Sequence, residues 1–280
     1  MTSELQNSTA AQSERNRIFT YWQNPVNGDI PPYIQLCLQT WFNNIPDLEL
    51  IILNQSNLSE WVDLDFDMRV FSVLSPAAQS DIASFAVLAK HGGVFMDVDT
   101  IVTKNIFDEI NKLEEDRDSV FFFYDKATGG PYMAFISCFE RENPFLRACA
   151  AEESALLNEI LMTRPQIKWR TFGNDILDAV RLDASLDALV REIDCTATGT
   201  ILESCFFNSG DASQDYFDMF FSKNNLDFEE VVAKIEFGLV MLHNSWTPKD
   251  FKVLDLGAVI NSDLIISQLL IYALGEDFFE

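Results

Sequence analysis

The chain has 280 residues, of which 48% are hydrophobic and 24 are Phe, enough to bury a large core in one or two domains. Its 44 acidic residues outnumber 19 basic ones, giving a formal net charge of −25. Such a surface repels nucleic acid and anionic lipid, and it leaves few cations to meet a phosphate-bearing ligand, which would then need a metal to screen it.

Residues 1–15 are polar and read as a disordered lead, not as a signal peptide. Arg17–Trp22 reads as a first strand, and Gln23–Ile30, with Gly28, as a loop. Pro31 opens a helix to about Asn44 with Ile34, Leu38, Trp41 and Phe42 on its apolar face; Pro46 ends it, and Leu48–Leu53 is a second strand. Ser75-Pro76 supplies an N-cap and an N1 proline, and Gly92 a stop, so a helix is expected over Pro76–His91 burying Ile82, Phe85, Ala86 and Ala89.

That helix leads directly into Gly93-Val94-Phe95-Met96-Asp97-Val98-Asp99, an apolar strand ending in two carboxylates. Side chains two apart on a strand share a face, so Asp97 and Asp99 should lie with Phe95 while Val94, Met96 and Val98 pack behind. Two like charges on a half-buried strand repel and lose hydration. No Lys or Arg follows until Lys104, and a divalent metal with oxygen ligands is the natural counter-ion.

Further strands are expected at Val120–Tyr124 and Tyr132–Phe139, a helix from Asn143-Pro144 to about Met162, another helix over Gly173–Ile193, and a late strand at Gly238–His243. The apolar segment Leu264–Leu274 is too short to span a bilayer and should dock as a helix, leaving at most a peripheral membrane contact. Five widely spaced cysteines, Cys37, Cys138, Cys149, Cys195 and Cys205, read as reduced core thiols of a cytoplasmic protein. No repeat and no Pro-, Gly- or Ser-rich linker divides the chain, so residues 16–280 are expected to form a single α/β domain.

Ser80-Asp81-Ile82 followed by Leu88-Ala89-Lys90-His91-Gly92-Gly93-Val94-Phe95-Met96-Asp97-Val98-Asp99 resembles the Asp-x-Asp sugar-binding region of retaining glycosyltransferases. The similarity is to the bacterial capsule-type enzymes, the α1,4-galactosyltransferase and α1,4-N-acetylglucosaminyltransferase group and, more distantly, the glucosylating toxins. Ile18-Phe19-Thr20-Tyr21-Trp22, Ile30-Pro31 through Trp41 with Pro46-Asp47, and Leu242-His243-Asn244-Ser245-Trp246 agree with that family in order and spacing. The resemblance spans roughly residues 16–250. It implies a GT-A-like nucleotide-sugar-binding fold, a central mostly parallel sheet flanked by helices, and a bacterial enzyme that moves a hexose or N-acetylhexosamine from a UDP-sugar to a saccharide or glycolipid acceptor in surface polysaccharide synthesis.

By the same resemblance, Asp97, Asp99 and Asp81 are the catalytic residues. Asp99 would bind Mn2+ or Mg2+ directly, Asp97 would bind the ribose or a metal-bound water, and His243 would complete the metal's ligands. Tyr21 and Trp22 would line the base pocket, Asp81 would contact donor-sugar hydroxyls, and Asn244, Ser245 and Trp246 would close over the diphosphate. Ser84 stands where relatives carry an Arg that holds the leaving diphosphate, and Gly173-Asn174 replaces a Gly-Pro pair of an acceptor-side loop.

Alternative readings are an effector that glycosylates protein, a catalytically degenerate sugar-binding protein, or a phosphatase. Asp97-Val98-Asp99 after an apolar strand is also similar to haloacid-dehalogenase-type phosphatases, in which the first Asp is a nucleophile and the second a general acid, and Gly210–Asp215 mimics their distal acidic motif. Against this, two strands precede the motif, Ile101 stands where Thr or Val is expected, and no apolar run leads into Gly210.

Overall fold

A computed structural model describes residues 16–24, 29–63, 65–126, 129–163, 167–223, 226–275 and 278; the lead at 1–15 and Gly28 lie outside them. From β1 (Arg17–Tyr21) the chain crosses through α1 (Pro32–Asn44) to β2 (Glu49–Leu53), which pairs parallel with β1. It returns through two short helical turns and α2 (Pro76–His91) to β3 (Gly93–Met96), parallel to β1 on its opposite side. α1 packs with Ile18, Val94 and Met96 in one core, whereas α2 packs with Phe19, Tyr21 and Phe95 in another. The two crossovers therefore cover opposite faces of the sheet. The carboxyl ends of β1 and β3 are thus the switch point, the place at which such sheets bind ligands.

The boundaries of α2 are those the sequence predicts. Ser75 Oγ accepts from the Ala78 N–H at 3.3 Å, and Pro76 opens the helix. At the other end Gly92 has φ +64°, and a Cβ there would stand 3.1 Å from the Cys138 carbonyl oxygen and 3.2 Å from that of Phe139. Conformation and space both require glycine, and the chain turns at once into β3.

β3 is shorter than expected. Its ladder ends at Met96, although Asp97 still donates its N–H to the Ala134 carbonyl at 2.9 Å. Thr100–Val102 forms β4, which leaves the central sheet and pairs antiparallel with β8 (Leu239–Met241). The late strand thus exists, but in a separate two-stranded ribbon. Helix α1 captures the ribbon's other edge: Trp41 Nε1 donates to the Thr100 carbonyl (2.7 Å), the Val102 N–H to Thr40 Oγ1 (3.0 Å), and Asn44 Nδ2 to the Val102 carbonyl (2.9 Å). These side chains satisfy backbone groups that a further strand would otherwise have to pair.

β5 (Val120–Asp125) and β6 (Gly130–Cys138) complete the sheet with β7 (Val190–Asp194), in the order β2-β1-β3-β6-β5-β7. β6 runs antiparallel to both neighbours, and the other pairings are parallel. The α/β class, with a mostly parallel six-stranded sheet between helices, is as expected. α3 (Pro144–Thr163) starts where Asn143 Oδ1 accepts from the Phe145 and Leu146 N–H groups.

The helix expected over Gly173–Ile193 is corrected. Only α4 (Asn174–Val180) and a short turn at Ala184–Asp187 are helical, and the segment then becomes the edge strand β7. Arg181 bridges Asp187 at 2.6 Å and Glu192 at 2.7 Å, holding the chain folded back on itself. Val190 and Ile193 are β-branched and favour the strand.

α5 (Ala212–Phe220) places Tyr216 in the first core, and α6 (Ile265–Leu274) docks there as expected. Asn44 Nδ2 donates to the Ala273 carbonyl at 2.7 Å, and Asn43 Nδ2 to the Leu274 carbonyl at 3.1 Å, locking α6 against α1. Among the described residues no helix is long and apolar enough to cross a membrane. Four cysteines are buried and Cys205 is half-buried; all five are free thiols.

Candidate functional site at the carboxyl ends of β1 and β3

Asp97 leaves β3 facing the N-terminal half of α2. Ser80 Oγ donates to its Oδ1 at 3.3 Å. Burial and the charge of Asp99 hold the Asp97 carboxyl above the usual carboxylate range, and Asp97 in turn contributes to the raised pKa of Asp81, after burial. Asp81 presses on the backbone of Gly173, where a Cβ would lie 3.0 Å from Asp81 Oδ2 and 3.0 Å from Met133 Cγ. Behind them Glu153 of α3 is buried with neither carboxylate oxygen hydrogen-bonded; burial and the charge of Asp81 push its pKa well up.

Asp99 forms the second wing. Its Oδ2 accepts the Asn244 N–H at 2.6 Å, and its carbonyl accepts the Leu242 N–H at 3.1 Å. Burial raises its pKa, opposed by the Asn244 N–H and by the charge of Lys252. The Lys252 ammonium also donates to the Asn244 carbonyl, while the Tyr33 hydroxyl donates to Asn244 Oδ1 at 2.6 Å. The register of β4 with β8, Thr100 opposite Met241, brings Asp99 and His243 to one end of the ribbon.

His243 is enclosed. Its N–H backbone group donates to the Tyr216 hydroxyl at 3.1 Å, its ring meets the Tyr132 hydroxyl at 2.9 Å from Nδ1, and Nε2 lies 3.2 Å from Glu203 Oε1. Trp246 lies against the ring, tilted by 37°, at 4.2 Å between centroids. Burial lowers the imidazole to about 3 and raises Glu203 to about 8, the latter helped by Asp125 and Asp215. Both shifts disfavour the charged forms, so burial works against an ion pair at this contact.

Tyr21 is a core residue whose hydroxyl donates to Gln79 Oε1 at 2.7 Å and whose ring packs edge-on against Phe71. Ser84 is fully buried, with its hydroxyl donating to the Asp81 carbonyl at 2.7 Å. Trp22 is half-buried, and its indole N–H donates to Asn24 Oδ1 at 2.7 Å. Ser245 is exposed. Asp97, Asp99 and His243 do not form a preassembled cage: among the described residues no three His, Cys, Asp or Glu side chains gather as one metal site.

Sequence reasoning missed Tyr33, Tyr132, Glu203, Tyr216 and Lys252. Tyr33, Tyr132, Glu203 and Tyr216 reach His243 and Asn244 from distant segments, and none of the five carries a local motif. The nearest available signal was Lys252, a cation nine residues past His243 in an acidic chain. Gly210–Asp215, the segment that mimicked a phosphatase motif, is a helix start: Asp211 Oδ1 accepts from the Ser213 N–H at 3.0 Å and the Gln214 N–H at 3.3 Å.

Residues 1–151 match the family described as "Capsular polysaccharide synthesis protein", just over half of the sequence. The chain belongs to that family. The matched segment carries β1 to β6 and α2, and hence Trp22, Asp81, Asp97 and Asp99; the His243 wing lies beyond it. No curated protein matches in sequence. Among solved structures the chain is similar to the PaToxG glycosyltransferase, with 14% identity and a TM-score of 0.42 over 66% of this chain and 80% of that one. It is similar to the glycosyltransferase GlyE of Streptococcus pneumoniae TIGR4, with 10% identity and a TM-score of 0.45 over 91% of this chain but only 62% of GlyE, less than two thirds. It is also similar to the apo form of mouse xyloside xylosyltransferase 1, with 10% identity and a TM-score of 0.41 over 84% and 99% of the two chains.

Proposed function

We propose that the chain is a metal-dependent retaining glycosyltransferase of the GT-A type, moving a hexose or N-acetylhexosamine from a UDP-sugar to a saccharide or glycolipid acceptor in surface polysaccharide synthesis. The observation that carries the reading is the convergence at the switch point of Asp81 from α2, Asp97 from the end of β3, and Asp99 bound to Asn244 beside His243.

The donor set suits Mn2+ or Mg2+. Asp97 and Asp99 are two hard oxygen donors, and among the described residues neither is ion-paired with Lys or Arg. Such ions bind through one or two carboxylates and complete their shell with phosphate oxygens and water, so no full protein cage is needed. His243, held neutral by burial, could offer a ring nitrogen as a further donor only by giving up its contact with Tyr132 or Glu203. When bound, the ion supplies Lewis-acid stabilisation of the departing nucleotide diphosphate.

The chain's own residues supply the rest. Asp81 accepts hydrogen bonds from donor-sugar hydroxyls and orients the ring. Trp22 stacks on the uracil, and Asn244, Ser245 and the Trp246 indole N–H lie along the diphosphate. Lys252, beside Asp99, adds the positive charge that Ser84 does not. The acceptor hydroxyl attacks the anomeric carbon on the face the diphosphate leaves, with the leaving phosphate taking its proton, so configuration is retained.

The test is a thermal shift in Mn2+ with UDP-glucose, UDP-galactose, UDP-N-acetylglucosamine and UDP-N-acetylgalactosamine, read beside UDP release. At saturation one donor should raise the melting temperature by several degrees and release UDP, and Asp99→Asn should abolish both. A wild-type chain unmoved by all four donors with Mn2+ overturns the reading.

A further inference from the structure

We infer that the turn at residues 168–171 presents Trp169 as a stacking platform for a sugar ring of the acceptor, at the rim of the site proposed above and resting on that proposal. Of the five tryptophans, Trp41 is fully buried, Trp22 and Trp61 are half-buried, and Trp246 is 39% exposed but lies against His243 and Tyr216. Trp169 is 81% exposed and has no ring partner among the described residues. Leaving so large an apolar ring in water forgoes the burial that normally accounts for a tryptophan.

The backbone under this ring is braced. The Lys168 N–H donates to Thr171 Oγ1 at 2.9 Å, and the Thr171 N–H returns to the Lys168 carbonyl at 3.2 Å, closing the turn from both sides. Arg170, next to the tryptophan, is pinned to α4 through Asp175 and, at 2.6 Å, through Asp178. The neighbours of Trp169 are thus tied down while its own ring projects outward.

The turn is joined to the site. Gly173, four residues on, is the glycine whose Cβ position lies 3.0 Å from Asp81 Oδ2. Asn174 Nδ2 donates to the Pro131 carbonyl at 3.0 Å, fixing the same segment to the start of β6. Four residues span at most about 14 Å between Cα atoms even when extended, so the turn cannot lie far along the chain from the glycine that meets Asp81. An acceptor must approach that sugar from outside, and the C–H face of a pyranose is the apolar surface that an exposed indole would cover. A membrane is the poorer occupant, since a chain of charge −25 is repelled by anionic lipid.

The test compares wild type, Trp169→Ala and Trp169→Phe for binding to an array of immobilised oligosaccharides in Mn2+ and UDP, with melting temperatures confirming that each variant folds. Trp169→Ala should weaken binding to the saccharides held by wild type at least tenfold, and Trp169→Phe should stay within about threefold of wild type, since it keeps a flat aromatic face. Equal binding by Trp169→Ala, or a wild-type chain that binds no saccharide, overturns the inference. So does Trp169-dependent binding to phosphatidylglycerol vesicles with array binding unchanged. The wild-type thermal shift with Mn2+ and UDP-sugar reports on the donor site alone, so failure of the donor reading is seen separately from failure at Trp169.

Discussion

Asp99 is a buried carboxylate whose hydrogen-bond donor, the Asn244 N–H, comes from 145 residues away. An asparagine in its place can still accept that bond but carries no charge. Asp99→Asn should therefore melt at or above the wild-type temperature without ligand, because the cost of a buried charge is relieved, while the response to Mn2+ and UDP-sugar disappears. Differential scanning fluorimetry with and without ligand separates the two effects.

The Glu203–His243 pair makes a prediction about pH. In the native chain the pair holds one proton between about pH 3, where His243 titrates, and about pH 8, where Glu203 does. Unfolded, the two titrate near their ordinary values of 4.5 and 6.5. Between pH 4.5 and 6.5 both states carry one proton, and the pair adds no slope. From pH 6.5 to 8 the unfolded chain has lost that proton and the native chain keeps it, so stability falls as pH rises, by about 2 kcal/mol. Glu203→Gln should remove this part of the decline, as measured by urea unfolding of the metal-free protein at pH 6.5 and 8.0.

Asp81, Asp97 and Asp99 were legible because they belong to one contiguous helix–glycine–strand pattern. Glu203, Tyr132 and Tyr216 were not, since an acid or a tyrosine among so many says nothing until the fold brings it to His243.

At the level of elements, α2 was readable to the residue because both its ends carry chemistry that only a helix end needs. Gly92 is the sharper of the two. Gly92→Ala should cost about 1–3 kcal/mol through its positive φ and crowd the carbonyls of Cys138 and Phe139, and denaturant unfolding should record the loss. By contrast, 173–193 misled because its Leu and Ala suit a helix, whereas pairing of its last residues with β5 outweighed that local preference. β4 escaped notice for a related reason: three residues give too little periodicity to tell continuation of β3 from departure into a ribbon.

For the whole molecule, the order of strands and helices was visible in the sequence, but the antiparallel insertion of β6 and the ribbon rest on pairings between distant segments that composition does not encode. Charge acts at this scale too. A formal −25 spread over the surface repels itself, so raising NaCl from 20 to 500 mM should increase the melting temperature of the metal-free protein as screening shortens to a few ångströms. No rise would mean that the acids are locally compensated.

The ribbon of β4 and β8 is entered from Asp99 and left towards His243, both at the same end. Two strands alone are marginal in water, and this pair leans on α1, which is fastened in turn to α6. How often the site comes apart is then set by a helix that contributes nothing to its chemistry. Leu269→Ala, in the buried face of α6, should speed amide hydrogen exchange at Val102 and Leu242 while exchange at Phe95 in the central sheet keeps its pace. The lifetime of the assembled site, as distinct from its composition, would be written in the last helix.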